Sequence, residues 1–263
     1  MKIYFAMLLS AVVSFMSVAS DSKLSPEQKG LEIAKERKAR DEGWGNSTSK
    51  LTMILRNSQG KESVRALRIK SLEVADEGDK GLTIFDKPLD VKGTAFLNHS
   101  YTQKADDQWL FLPALKRVKR IASQNKSGPF MGSEFAYEDL SSFELDKYTF
   151  SYISDDKFGE QSVYVLEQTP TDRYSGYSKQ KVWIDQQHYR PLKVEYYDRK
   201  GSLLKTLTLS DYQKYLEKYW RAHTLEMVNH QTNKSTLLKT ELLAFNVGLT
   251  KSDFNQASLR RAK

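Results

Sequence analysis

The chain has 263 residues, 39% of them hydrophobic and 11% aromatic, with only 13 Gly and 6 Pro. That composition excludes a disordered or low-complexity protein and supplies enough chain for one sizeable domain or two small ones. The lack of cysteine excludes disulfides, a thiol nucleophile and an acylated N-terminal cysteine, while a formal charge of +8 suggests an anionic partner or simply a basic, solubilising surface.

Lys2 followed by the apolar run Ile3 to Val18 has the layout of a secretory signal, and Val18, Ala19 and Ser20 offer cleavage after Ala19 or Ser20. Residues 1–20 are therefore expected to be a signal peptide, and residues 21–263 a single domain exported to a bacterial-type periplasm. The alternative, an uncleaved membrane anchor, calls for a longer apolar run of ~20 residues. Nucleic acid is a poor partner in that compartment. An anionic membrane surface fits better, since each basic side chain near one gains roughly 1 kcal/mol.

One helix is expected from Pro26 to about Asp41. Ser25 stands at the cap, Pro26 at the first helical position and Gln28 three residues after the cap, with Gly43 and Gly45 beyond the end. Its apolar stripe is thin, chiefly Leu31, Ile33, Ala34 and Ala39, enough to lie on a sheet but not to form a core alone.

From Ser49 the period becomes two. Leu51, Met53 and Leu55 alternate with Lys50, Thr52, Ile54 and Arg56, Asn57 to Gly60 reads as a turn, and Val64 to Val74 returns. Further strands are expected at 81–85, 94–98, 108–112, 117–122, 147–153, 163–168, 179–185, 191–198, 203–212, 222–229 and 235–246. Twelve or so strands on short loops give a mainly antiparallel α+β fold built on one strongly curved sheet. Between Ser123 and Phe143 the alternation stops, and Phe130, Met131, Phe135 and Tyr137 load a segment hinged at Gly128 and Gly132, with a short helix expected over Glu134 to Leu140. A curved sheet has an apolar concave face that this segment and the first helix can cover, either as a removable lid or as a permanent plug.

Catalytic patterns are weak. His99, His188, His223 and His230 lack metal-ligand spacing, Ser133 is not in a nucleophile elbow, and the adjacent pairs Asp106/Asp107 and Asp155/Asp156 point to opposite faces if they lie on strands. No enzyme activity, metal or cofactor is expected.

The runs Asp106 to Ile121, Lys126 to Phe135 and Tyr137 to Leu140, supported by Phe85 to Phe96, Tyr196 to Asp198, Tyr219 to Arg221 and Met227 to His230, resemble the outer membrane lipoprotein-sorting protein family with the LolA/LolB-like fold. The resemblance spans nearly all of the mature chain. It implies an incomplete β-barrel with helices closing its open side, an apolar cavity for acyl chains, and association with inner-membrane exporters of the resistance-nodulation-division type. The expected function is a periplasmic, non-enzymatic, monomeric carrier or receptor for lipid or acylated protein, working with such an exporter and touching the membrane transiently. The alternative is an adaptor or assembly protein of the exporter, without lipid cargo of its own.

Two residue sets follow. The ligand cavity is expected to be lined by Leu51, Met53 and Leu55 from the hairpin, Trp109 and Phe111 from a central strand, and Phe130, Met131 and Phe135 from the cover. The strand holding Trp109 is apolar on both faces, so the alternation leaves Trp109/Phe111 or Leu110/Leu112 as the inward pair. The basic cluster Lys116, Arg117, Lys119, Arg120 and Lys126 is expected to dock on a partner or membrane, the alternative being a solvated strand face.

Overall fold

The computed structural model describes residues 24–261; the expected signal peptide, residues 1–20, lies outside the described residues. A helix, α1 (Pro26–Arg40), precedes β1 (Asn46–Arg56), β2 (Glu62–Leu72), β3 (Lys80–Lys87), β4 (Ala95–His99), β5 (Asp107–Leu112) and β6 (Arg117–Ile121). An irregular segment, residues 122–147, leads to β7 (Tyr148–Phe158), β8 (Gln161–Pro170), β9 (Tyr177–Asp185) and β10 (Pro191–Asp198). The chain continues through β11 (Leu203–Tyr215), β12 (Tyr219–Asn229) and β13 (Lys234–Phe245) to a short helix, α2 (Gln256–Arg261).

The 13 strands of the described residues form one antiparallel sheet in the order β6-β5-β4-β3-β2-β1-β13-β12-β11-β10-β9-β8-β7. The first strand thus pairs with the last, Leu51 opposite Thr240 and Met53 opposite Leu238. Two strands consecutive in sequence, β6 and β7, become the opposite edges of the sheet, so the segment joining them must cross its interior. That crossing is visible in the contacts. Phe130 packs on Phe85 and Phe96 with ring centroids 5.8 and 5.2 Å away. A few residues on, Glu134 N–H donates to Thr236 Oγ1 on β13 at 2.9 Å. One segment that touches both arms of the sheet lies on its concave side, and the sheet is a curved, unclosed barrel.

The expected short helix over Glu134 to Leu140 is instead a single 3₁₀ turn, Tyr137–Leu140. Its backbone groups are spent elsewhere: Tyr137 N–H donates to Gly128 O and Glu138 N–H to Lys126 O, while Phe135 O accepts from Phe130 N–H. A helix would need these groups for its own ladder.

Helix α1 starts as its sequence dictates, with Ser25 Oγ accepting from Gln28 N–H and the Gln28 side chain accepting from Ser25 N–H. Its buried face is Gly30, Ile33 and Ala34, whereas Leu31 is 37% exposed. Gly30 sets that face. A Cβ there would sit 2.8 Å from the Tyr152 nitrogen, so the helix rests directly on the edge strand β7.

The core has an inner and an outer part. Inside, Leu51, Met53, Leu67, Phe85, Phe96, Leu110 and Phe130 form one cluster, and Ile33, Phe135, Leu166, Val182, Val194, Tyr196, Leu207 and Met227 form another, with Leu238 packed on both. On the opposite face of the sheet, Leu82, Ile84, Ala95 and Leu97 pack under Phe254 and Leu259, so the C-terminal segment covers the outside of β3–β5.

Candidate functional site

Strand parity and the C-terminal cover decide the position of the expected cavity residues. Leu110 faces inward with Phe96, its cross-strand partner, while Trp109 and Phe111 stand opposite Leu97 and Ala95 and pack with them against Phe254. The expectation that Trp109 and Phe111 point into the interior is corrected: the outer face of β5 is apolar because α2 covers it. Leu51, Met53 and Leu55 do face inward, where Phe130 and Met131 join the same cluster. Phe135 belongs to the neighbouring cluster around Tyr177 and Tyr196.

The crossing segment is bound to both arms. Arg65 donates to Met131 O at 2.6 Å, and Gln108 Nε2 to Tyr137 O at 2.9 Å. On the other arm, Lys205 Nζ lies 2.6 Å from Asp139 Oδ2, with side chains 4% and 5% exposed, and donates also to Glu134 O at 2.9 Å. Asp139 accepts further bonds from Tyr177 Oη and Ala136 N, both at 2.7 Å. Asn229 Nδ2 donates to Glu134 Oε2 at 2.7 Å. In this structure the segment is a plug latched to both arms of the sheet.

Empty space lies beside that plug. A cavity of about 730 Å³ runs between the plug, residues 141–148 and the inner face of β8–β11, where Tyr148, Tyr177, Val182, Val194, Tyr196 and Leu207 form its wall. A second cleft of about 750 Å³ opens at the C-terminal end of α1 among Trp44, Asp79, Tyr212, Trp220 and Arg221. The two meet around Arg37, Phe143 and Leu209, which line both. Each falls within the roughly 300–1,000 Å³ range of small-molecule sites.

The wall on β9–β11 is phenolic and apolar, while the plug and the loops opposite it bring charged groups, among them Glu138, Asp139, Lys126 and Lys147. Burial pushes the Tyr148 hydroxyl up to about 12, and burial together with the nearby Asp139 carboxylate holds Tyr177 and Tyr196 well above the ordinary phenol range. These phenols stay protonated at any physiological pH, as donors rather than bases. Burial raises the Glu138 carboxyl, which accepts from Ser175 Oγ at 2.7 Å and Gly176 N at 2.8 Å. In the cleft, burial lifts Asp79 to about 6 against the pull of the Lys38 ammonium. Among the described residues no group of three or more His, Cys, Asp or Glu comes together to hold a metal ion.

The basic cluster is divided by the edge strand that carries most of it. Lys116, Arg117 and Lys119 are exposed, with successive residues of β6 on alternate faces. Arg120 is tied to Asp107, and Lys126 Nζ lies 2.7 Å from Asp172 Oδ2. Charge on an edge strand also blocks pairing with a second chain.

Sequence reasoning did not single out Arg37. Its position four residues after Ile33 and three after Ala34 puts it on the buried face of α1, a signal present in the helical spacing.

The comparisons with known proteins agree with this architecture. A family model described only as that of an uncharacterized protein matches residues 77–261. No curated protein matches. Among solved structures, a candidate outer membrane lipoprotein-sorting protein domain from Vibrio parahaemolyticus is 68% identical over 89% of this chain and 100% of its own, with a TM-score of 0.88. A DUF1329 family protein from Desulfovibrio piger is 27% identical, with 90% and 100% coverage and a TM-score of 0.85. A LolA superfamily protein from Nitrosomonas europaea shares the fold at 20% identity, with 87% and 98% coverage and a TM-score of 0.69. An unclosed antiparallel barrel with a helix along one edge and a plugged concave face, matched end to end at this identity, makes the chain a member of the outer membrane lipoprotein-sorting protein family, with its LolA/LolB-like fold.

Proposed function

We propose that the protein is a non-enzymatic periplasmic carrier or receptor whose cargo is lipid or an acylated protein, held with its acyl chain in the cavity between the plug and β8–β11. The observation that carries this reading is the cavity itself: about 730 Å³ of space against the inner wall of a carrier-type fold. A longer chain would extend over Leu51, Met53 and Leu55 by displacing Phe130 and Met131. Residues 1–20 act as the export signal in this reading.

The test is native mass spectrometry of the protein extracted gently from a periplasm, with displacement of the neutral dye N-phenyl-1-naphthylamine as the solution counterpart. A co-purifying lipid and saturable dye binding that dodecanoate or lysophospholipid reverses are the expected results. Bare protein and no saturable binding would remove the carrier role. The filled half of the interior around Phe130 favours a second reading, an adaptor of an inner-membrane exporter that acts through its surface alone. That second reading is the one left standing by the negative result.

Docking on an anionic membrane or partner falls to Lys116, Arg117 and Lys119. The triple reversal K116E/R117E/K119E is expected to keep its melting temperature, because exposed charges contribute only ~0–1 kcal/mol. It should lose affinity for phosphatidylglycerol vesicles at low salt, with the difference fading as salt screens charges beyond about 8 Å. Equal vesicle binding by both proteins at both salt levels would show that these residues only solvate and guard the edge.

A further inference from the structure

A guanidinium held against buried aromatic and aliphatic side chains normally comes with a carboxylate, because an isolated buried charge is costly. Arg37 has none. Among the described residues its side chain makes no hydrogen bond and no ion pair; its one close partner is the face of Phe143, 4.0 Å from the guanidinium carbon. Burial holds the guanidinium below its ordinary pKa, yet the side chain keeps some accessible surface because both cavities open onto it.

The neighbouring acids are already engaged. Asp41 pairs with Arg221 at 2.5 Å, Glu144 with Lys38 at 3.0 Å, and Asp139 with Lys205 at 2.6 Å, while Glu138 takes its bonds from Ser175 and Gly176. The Asp41 carboxylate acts on Arg37 only through space, and among the described residues no carboxylate is bonded to the guanidinium. A second polar group faces the same space. Tyr196 is 7% exposed, lines the cavity, and its hydroxyl has no hydrogen-bond partner among the described residues. A donor without an acceptor therefore stands on the same cavity as a cation without an anion, and apolar wall continues away from both at Val182, Val194, Leu207 and Leu209.

We infer that the cavity takes an anionic amphiphile, with a singly charged headgroup on Arg37 and the Tyr196 hydroxyl and an acyl chain along the wall of β9–β11. This rests on the carrier reading above and adds the headgroup to it. At Arg37 itself a single guanidinium matches one negative charge, a carboxylate or a phosphodiester; Lys126 and Lys147, which also line the cavity, are paired with Asp172 and Asp106. The α1 helix then has a further role. It holds the cation over the cavity while Gly30 lets it sit tightly on β7, so helix, headgroup site and cavity mouth form one unit.

The experiment compares ligands equal in chain length and unequal in charge. Displacement of N-phenyl-1-naphthylamine is measured for dodecanoate against dodecanol, and for lysophosphatidylglycerol against lysophosphatidylcholine. Inorganic phosphate serves as the ion without a chain. The wild type is expected to prefer at least one anionic member by roughly 10- to 100-fold, the size of a charge-assisted hydrogen bond. The pair that shows the preference tells whether the headgroup is a carboxylate or a phosphodiester. Arg37→Met, which keeps the stem and drops the charge, should erase that preference while still binding the alcohol, and Arg37→Lys should restore part of it. Equal affinity of the wild type for both members of each pair overturns the headgroup site and leaves the apolar cavity intact. Displacement by inorganic phosphate at the amphiphile's concentration overturns the amphiphile and leaves a simple anion site. Failure of every ligand to displace the dye, or of the dye to bind, removes the carrier reading and this inference with it. The wild-type comparison decides the matter even if Arg37→Met fails to fold.

Discussion

Asp139→Ala should destabilise the protein by about 3–5 kcal/mol, lowering the melting temperature by roughly 10 °C, while the double variant D139L/K205M should recover most of that loss. The asymmetry follows from burial. The Lys205 and Asp139 side chains are 4% and 5% exposed, so removing the carboxylate strands an ammonium in the interior, left with Glu134 O and the faces of Tyr177 and Tyr196, each 5.2 Å away. Removing both charges for apolar groups of similar size leaves no ion stranded, only the neutral Tyr177 hydroxyl, Ala136 N–H and Glu134 O without these partners, each a smaller cost. Urea unfolding of the two single variants and the double variant gives the comparison, and a single-variant loss below about 1 kcal/mol would mean that water reaches this pair. The same variants probe dynamics. Asp139 ties residues 134–140 to the β11 arm through Lys205 and to β9 through Tyr177. Its loss should therefore loosen the plug before the sheet and speed entry of a dye into the cavity. If entry is unchanged while stability falls, the plug is not the gate and the open end beside Arg37 is the route.

What was legible in the sequence was local. The Ser25–Gln28 cap is read from three adjacent positions, and it forms as written. Strands whose side chains alternate, such as β1, declare both their period and their inward face, and Leu51 and Met53 are buried accordingly. Strand β5 declared only its period, because Trp109, Leu110, Phe111 and Leu112 are apolar on both faces. The deciding element lies at the far end of the described residues, where Phe254 and Leu259 stand among polar neighbours with no periodic pattern to mark them as a cover. The interruption near Phe130 was visible as an apolar load between glycines. Its fixed position was not, since the bonds that hold it, Lys205 to Asp139 and Asn229 to Glu134, join residues 66 and 95 positions apart. Sheet order was hidden for the same reason: the pairing of the first strand with the last has no local signature. Arg37 was hidden in a different way. In a helix written Lys35-Glu36-Arg37-Lys38, one more cation looks like solvated surface, and only the packing of Gly30 on β7 turns that face inward.

Phe254→Ala should cost about 3–5 kcal/mol, a loss comparable to that from breaking the buried ion pair but arising on the other side of the sheet. Phe254 is 1% exposed and Leu259 fully buried, and together they cover Leu82, Ile84, Ala95 and Leu97, with Trp109 and Phe111 at the margin. The segment has little else to hold it there. His99 Nε2 lies 2.8 Å from Phe254 O, and burial lowers the pKa of that ring so that it stays neutral. Lys251 reaches Glu77 at 2.8 Å from an exposed position. Truncating the phenyl ring thus removes the main anchor, and the segment should lift to expose a contiguous apolar patch on β3–β5. A patch of that kind on a soluble protein drives association. The expected observations are a lower urea midpoint and light scattering that grows with concentration for Phe254→Ala, and a smaller loss of about 2–5 kcal/mol for Leu259→Ala. Cavity binding should survive in the fraction that stays folded, because the cavity lies on the opposite face. A loss below about 1 kcal/mol with no added scattering would show that the outer face of β3–β5 is stable without its cover. Lost cavity binding in a folded Phe254→Ala variant would show instead that the two faces of the sheet are energetically coupled.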